Sequence, residues 1–124
     1  MAKVLVVDDD PVTRNLVRAI LAKDGHEIVM CDGALAAIEV LSLQDFDVIV
    51  TDIIMPEHDG FELIQAARNL RPHAQIIVLS AVDEKVPAHM TAAVFERLGV
   101  TRVISKPINP GLLASEVLAA HVIG

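Results

Sequence analysis

The chain has 124 residues, one cysteine, a formal net charge of −7 and 53% hydrophobic residues. That length suits a single domain with its own core. The composition favours a folded globular domain over disorder, a single cysteine excludes an intrachain disulfide, and no run of about 18 apolar residues exists to cross a membrane as a helix. An acidic chain disfavours direct contact with a nucleic-acid backbone, and three Phe with no Trp or Tyr offer little stacking surface for single strands.

Met1-Ala2-Lys3 leads into Val4-Leu5-Val6-Val7, a β-branched apolar run closed by Asp8. It reads as a strand buried on both faces. It is too short for a signal peptide, so a soluble cytoplasmic protein is expected. Asp10-Pro11 is an N-cap and first-position pair. The helix that follows carries a face of Val12, Leu16 and Ile20, with Val17 and Leu21 beside it, and Gly25 stops it. Glu27 to Met30 reads as a second strand. Cys31 is expected to be a small buried hydrophobe. Asp32-Gly33 opens a second helix with Leu35, Ile38 and Leu41 inward.

Phe46 to Thr51 is a third strand, closed by Asp52. Pro56 to Gly60 is a loop, and Phe61, Ile64, Ala67 and Leu70 mark a helix ending near Arg71-Pro72. Gln75 to Leu79 is a fourth strand, ending at Ser80-Ala81. After a polar loop from Asp83 to Lys85, Met90, Val94 and Leu98 form a helical stripe closed by Gly99. Thr101 to Ile104 is a fifth strand, ending at Ser105-Lys106-Pro107. Asn109-Pro110 opens a last helix with Leu113, Val117 and Ala120 inward. Strand and helix alternate throughout. The expectation is one domain, residues 1–124, built as an α/β doubly wound parallel sheet in the order 2-1-3-4-5.

Polar residues collect where strands end: Asp8, Asp9 and Asp10 after the first, Asp52 after the third, Ser80 after the fourth and Lys106 after the fifth. In the expected order these ends are contiguous, beside the point where ligands bind in open α/β sheets. Neighbouring carboxylates repel unless a cation sits among them. Oxygen ligands suit Mg²⁺, or Mn²⁺, rather than Zn²⁺. A hydroxyl and an ammonium complete a clamp for phosphoryl oxygens. The set suits a site that carries a phosphoryl group on a carboxylate, with Asp52 as nucleophile. Asp10 reads most simply as a helix cap. His26, His73, His89 and His121 match no metal spacing, and His58 reads as a surface loop residue.

Val6-Val7-Asp8-Asp9, Asp52-Ile53-Ile54-Met55-Pro56, Asp59-Gly60, Ser80-Ala81 and Lys106-Pro107 together resemble the receiver domain of bacterial two-component response regulators, over essentially the whole chain. The resemblance implies a flavodoxin-like fold and a phosphoacceptor rather than an enzyme in the ordinary sense. Asp52 would be the phosphoacceptor. Asp9, Asp52 and the Ile54 backbone carbonyl would ligate Mg²⁺, with Asp8 acting through water. Lys106 would pair with the phosphoryl oxygens, Ser80 would hydrogen-bond to them, and Ala81 would leave them room. Pro107 resembles the family's cis-proline.

The partners implied are a sensor histidine kinase or a histidine phosphotransfer protein as donor, and a downstream protein at the face of the fourth helix, fifth strand and fifth helix. The resemblance leaves the oligomeric state as monomer or weak homodimer. Val103 stands where the family often has an aromatic switch residue. Ile54 and Val82, both apolar, flank the site and imply a long-lived phosphoryl group.

Two other readings stand beside this one. Asp8-Asp9-Asp10-Pro11-Val12 is similar to the nucleophile motif of haloacid dehalogenase-type phosphatases, with Asp8 as nucleophile and Asp10 as acid–base residue. The chain could also be a receiver-like interaction module that takes no phosphate.

Overall fold

The computed structural model describes residues 1–53, 55, 60–81 and 92–123, the side chains of Ala81, Ala92, Val122 and Ile123 excepted. Five strands, β1 (Lys3–Val7), β2 (Glu27–Cys31), β3 (Val48–Asp52), β4 (Gln75–Ala81) and β5 (Val100–Lys106), alternate with five helices. These are α1 (Pro11–Ala22), α2 (Ala34–Leu43), α3 (Gly60–Leu70), α4 (Ala92–Arg97) and α5 (Pro110–Ile123). The strands form one parallel sheet in the order β2-β1-β3-β4-β5, as the sequence predicts.

Two-residue alternation divides the core. Leu5, Val7, Ile49, Ile76 and Val78 face one side, under α2, α3 and Phe95 of α4. Val4, Val6, Val48, Val50, Ile77 and Leu79 face the other, under α1 and α5. Strands β1 and β3 are apolar at nearly every position because both faces are covered. The edge strands β2 and β5 are half-exposed.

Local chemistry sets the helix ends. Asp10 Oδ1 accepts from Val12 N at 3.1 Å and Asp10 Oδ2 from the Thr13 hydroxyl at 2.9 Å. Asn109 Oδ1 accepts from Leu112 N at 3.1 Å. Both are the expected caps. Arg71 Nε donates to the carbonyls of Leu41 and Gln44 at 2.9 Å, satisfying acceptors that the end of α2 would otherwise leave open. Gly99 closes the turn after α4 with φ 73°.

Several helix faces differ from the sequence reading. In α1 the buried residues are Val17, Ile20 and Leu21, while Val12 and Leu16 are exposed. In α2, Ala34, Ala37 and Leu41 are buried and Leu35 is 55% exposed. This helix is apolar all round, so periodicity alone does not select its inner face. In α3, Leu63 joins Ile64 and Ala67 inside, and Leu70 at the helix end is exposed. In α4, Phe95 is buried beside the partly buried Val94 and Leu98, and Met90 lies outside the described residues. Leu113, Val117 and Ala120 of α5 are buried as expected, and so is Cys31, where burial pushes the thiol pKa up.

Candidate functional site

Strand β1 delivers the chain to Asp8, one residue past Val7, and β3 ends on Asp52. Both carboxylates are buried, while Asp9 is exposed. One carboxylate oxygen from each of Asp8, Asp9 and Asp52 lies within 4.8 Å of the others. Strand β5 runs on past its expected end and brings in Lys106. Its ammonium donates to Asp52 Oδ2 at 3.1 Å and stands 3.6 Å from Asp8 Oδ2. The ends of β1, β3 and β5 therefore meet at one edge, as the predicted strand order requires.

The local backbone fixes each acid. Asp52 Oδ1 accepts from Ile53 N at 2.9 Å. Gly60 N donates to Ile53 O at 2.6 Å, so α3 begins against the turn that follows β3. A Cβ at Gly60 would lie 2.6 Å from the Asp52 carbonyl oxygen, and this close approach accounts for glycine there. Asp8 N donates to Cys31 O at 3.2 Å, and Asp8 Oδ1 accepts from Asp10 N at 2.9 Å. Asp8 Oδ2 is buried with no hydrogen-bond partner.

The electrostatics follow from burial and crowding. Burial pushes the Asp8 carboxyl above its ordinary pKa, and Asp52 and Asp9 push it the same way; Asp10 N and the Lys106 charge oppose them. Among the described residues, three carboxylates face one ammonium, and a buried carboxylate oxygen is left without a hydrogen-bond donor. A hard divalent cation with oxygen ligands fits this set.

The remaining site residues are placed as follows. Ser80 lies on β4, half-buried, one position beyond Leu79, the register partner of Asp52. Its hydroxyl makes no hydrogen bond among the described residues. Ala81 pairs with Lys106 in register. The Lys106-Pro107 bond is cis. Val103 is half-exposed on β5. The Ile54 carbonyl, Pro56, His58, Asp59, Val82, the loop from Asp83 to Lys85, His89 and the Ala81 side chain lie outside the described residues.

Asp10 spends its carboxylate on the α1 cap, and the bonds to Thr13 and Val12 hold its pKa below the ordinary value. This is the helix-cap role that the sequence reading gave as the simplest one for Asp10. Sequence reasoning missed Arg14, whose Nη1 donates to the Asp8 carbonyl at 2.7 Å. Its signal was a cation early in a helix, where the helix dipole disfavours positive charge.

The response regulator receiver domain family matches residues 4–118. The chain is 33% identical over 126 residues to the response regulator protein FleR of Pseudomonas aeruginosa, covering 99% of this chain and 25% of FleR. It is 34% identical to the DNA-binding transcriptional regulator NtrC of Azospirillum brasilense, covering 94% of this chain and 23% of NtrC. It thus spans about a quarter of the length of these two regulators. An uncharacterised 14.6 kDa protein of Leptolyngbya boryana is 35% identical over 86% of this chain and 80% of its own length. Among solved structures, the chemotaxis protein CheY4 of Vibrio cholerae superposes with a TM-score of 0.83 at 30% identity, covering 97% of this chain and 98% of that one. Fold, acidic pocket and sequence agree along nearly the whole length, and the chain belongs to the response regulator receiver domain family.

Proposed function

We propose that Asp52 accepts a phosphoryl group from a phosphohistidine, and that the chain signals by its phosphorylation state. The observation that carries this reading is the buried Asp52 carboxylate held between two further acids and the Lys106 ammonium. An Asp52 oxygen attacks phosphorus in line, the N–P bond breaks, and the donor imidazole leaves with the bonding electrons. Lys106 shifts from Asp52 Oδ2 to the incoming phosphoryl oxygens, and Ser80 donates its hydroxyl to one of them. Asp9, Asp52 and the Ile54 carbonyl would hold Mg²⁺, with Asp8 reaching it through water. Bound there, Mg²⁺ neutralises phosphoryl charge that is otherwise repelled by the acids. The domain assists its own phosphorylation and slow hydrolysis and is not otherwise an enzyme.

Phosphorylation adds roughly two negative charges and three acceptors at the end of β3. Contacts made only in that state bias the neighbouring elements, and a hydrogen bond from Ser80 is the first such contact. The output face is α4, β5 and α5. The donor is a histidine kinase or a histidine phosphotransfer protein, and the setting is cytoplasmic. Incubation with acetyl phosphate and Mg²⁺, read by intact mass, is expected to add one phosphoryl group to the wild type and none to Asp52→Asn. Label retained in Asp52→Asn, or mapped to Asp8, overturns the assignment. A wild type that takes no label from acetyl phosphate or a cognate kinase supports a phosphate-independent interaction module.

A further inference from the structure

We propose that Arg14 is a positioning residue for the acidic pocket, acting on Asp9 through the main chain. This rests on the reading of that pocket as a Mg²⁺ site. The three acids are held unequally. Asp52 is tied by Ile53 N and Lys106, and Asp8 by Asp10 N. The Asp9 carboxylate is exposed and has no hydrogen bond among the described residues. Its direction depends on the backbone alone, and the peptide joining Asp8 to Asp9 is the one Arg14 grips, with Nη1 2.7 Å from the Asp8 carbonyl oxygen.

The opposite side of Asp8 is pinned to β2 through Cys31 O. The turn is therefore clamped between the sheet and the first turns of α1. Arg14 reaches it because side chains on a helix lean toward the N-terminus. A guanidinium placed there opposes the helix dipole, and the acids beyond Val7 compensate it. Arg14 makes no ion pair with a carboxylate among the described residues. Unlike Lys106, it orients the pocket without occupying a ligand oxygen.

Charge and positioning predict opposite signs. If Arg14 acted only as a nearby cation, removing it would tighten Mg²⁺ binding. If it positions Asp9, removal weakens binding despite the gain in negative potential. The experiment measures Mg²⁺ affinity by calorimetry for wild type, Arg14→Ala and Arg14→Met, well below each melting temperature. Arg14→Met keeps the apolar stem if Arg14→Ala fails to fold. Arg18→Gln, on an exposed position of the same helix, controls for charge.

The expected result is a roughly tenfold weaker Mg²⁺ affinity in the Arg14 variants, the size of one charge-assisted hydrogen bond. Arg18→Gln should bind as wild type or slightly tighter. The Asp9 amide resonance should also shift in metal-free Arg14→Met, because that N–H shares the Asp8 peptide. Unchanged or tighter Mg²⁺ binding in the Arg14 variants, or an unmoved Asp9 amide, overturns the proposal while leaving the Mg²⁺ site standing. A wild type that binds no Mg²⁺ overturns both.

Discussion

Lys106 on β5 reaches across β4 to place its ammonium 3.1 Å from the Asp52 carboxylate at the end of β3. The pair spans 54 residues of sequence. It supplies a positive charge beside two buried acids, Asp8 and Asp52.

Lys106→Ala should destabilise the metal-free protein by about 1–3 kcal/mol, because Asp52 and Asp8 lose their counter-charge. The same change should tighten Mg²⁺ binding, since Asp52 Oδ2 is no longer shared with an ammonium. Urea unfolding with EDTA, and again with Mg²⁺, measures both effects.

Asp8 behaves in the opposite sense. Its carboxyl binds a proton more readily folded than unfolded, so its charging works against the fold. That contribution is most favourable below the ordinary value of 3.8 and is lost as pH rises through the higher folded value. Asp8→Asn keeps the acceptor for Asp10 N and removes the buried charge. It should raise metal-free stability by about 1 kcal/mol, a few degrees in melting temperature. On the reading of this pocket as a Mg²⁺ site, it should also reduce any rise in melting temperature that Mg²⁺ gives the wild type. Thermal melts with and without Mg²⁺ give both readings.

His26 predicts a second pH dependence at the far end of the sheet. Its Nδ1 accepts from Ala2 N at 3.0 Å, and its Nε2 is buried without a partner. Burial lowers its pKa, as do the N-terminal amine and His121; Asp24 opposes them. The unfolded chain therefore binds the proton more readily. Stability is fully present above the ordinary value of 6.5 and is lost as pH falls from there through the lower folded value. His26→Leu should flatten that part of the stability profile. Denaturant midpoints between about pH 7 and pH 5 measure the slope.

Gly60→Ala should cost about 2 kcal/mol, because the added methyl would press on the Asp52 carbonyl, a backbone atom with no free rotation to yield. The strain falls on the residue that carries the proposed phosphoryl group. The variant should also take label from acetyl phosphate more slowly, as seen by intact mass over time.

Much of the architecture is legible in the chain because its signals are short-range. Val4 to Val7 and Val48 to Val50 announce buried parallel strands, and Asp10-Pro11 and Asn109-Pro110 announce helix starts, through interactions that span only a few residues. The acids at strand ends and Lys106 could be assembled into one site because a parallel sheet allows few strand orders.

What needed the tertiary structure was every feature set by packing angle or by long-range approach. The exposure of Val12, Leu16 and Leu35 depends on how α1 and α2 lie over the sheet, not on the pattern each helix carries. The need for glycine at position 60 arises only where α3 closes on the turn after β3. Arg14 looks from sequence like a surface cation. Its grip on the Asp8 carbonyl exists because α1 folds back against the end of β1. The sequence by itself determined which chemistry gathers at the sheet edge. The tertiary structure decided which groups are buried, which are clamped and which are left free to bind, because those depend on distances between segments that no local pattern encodes.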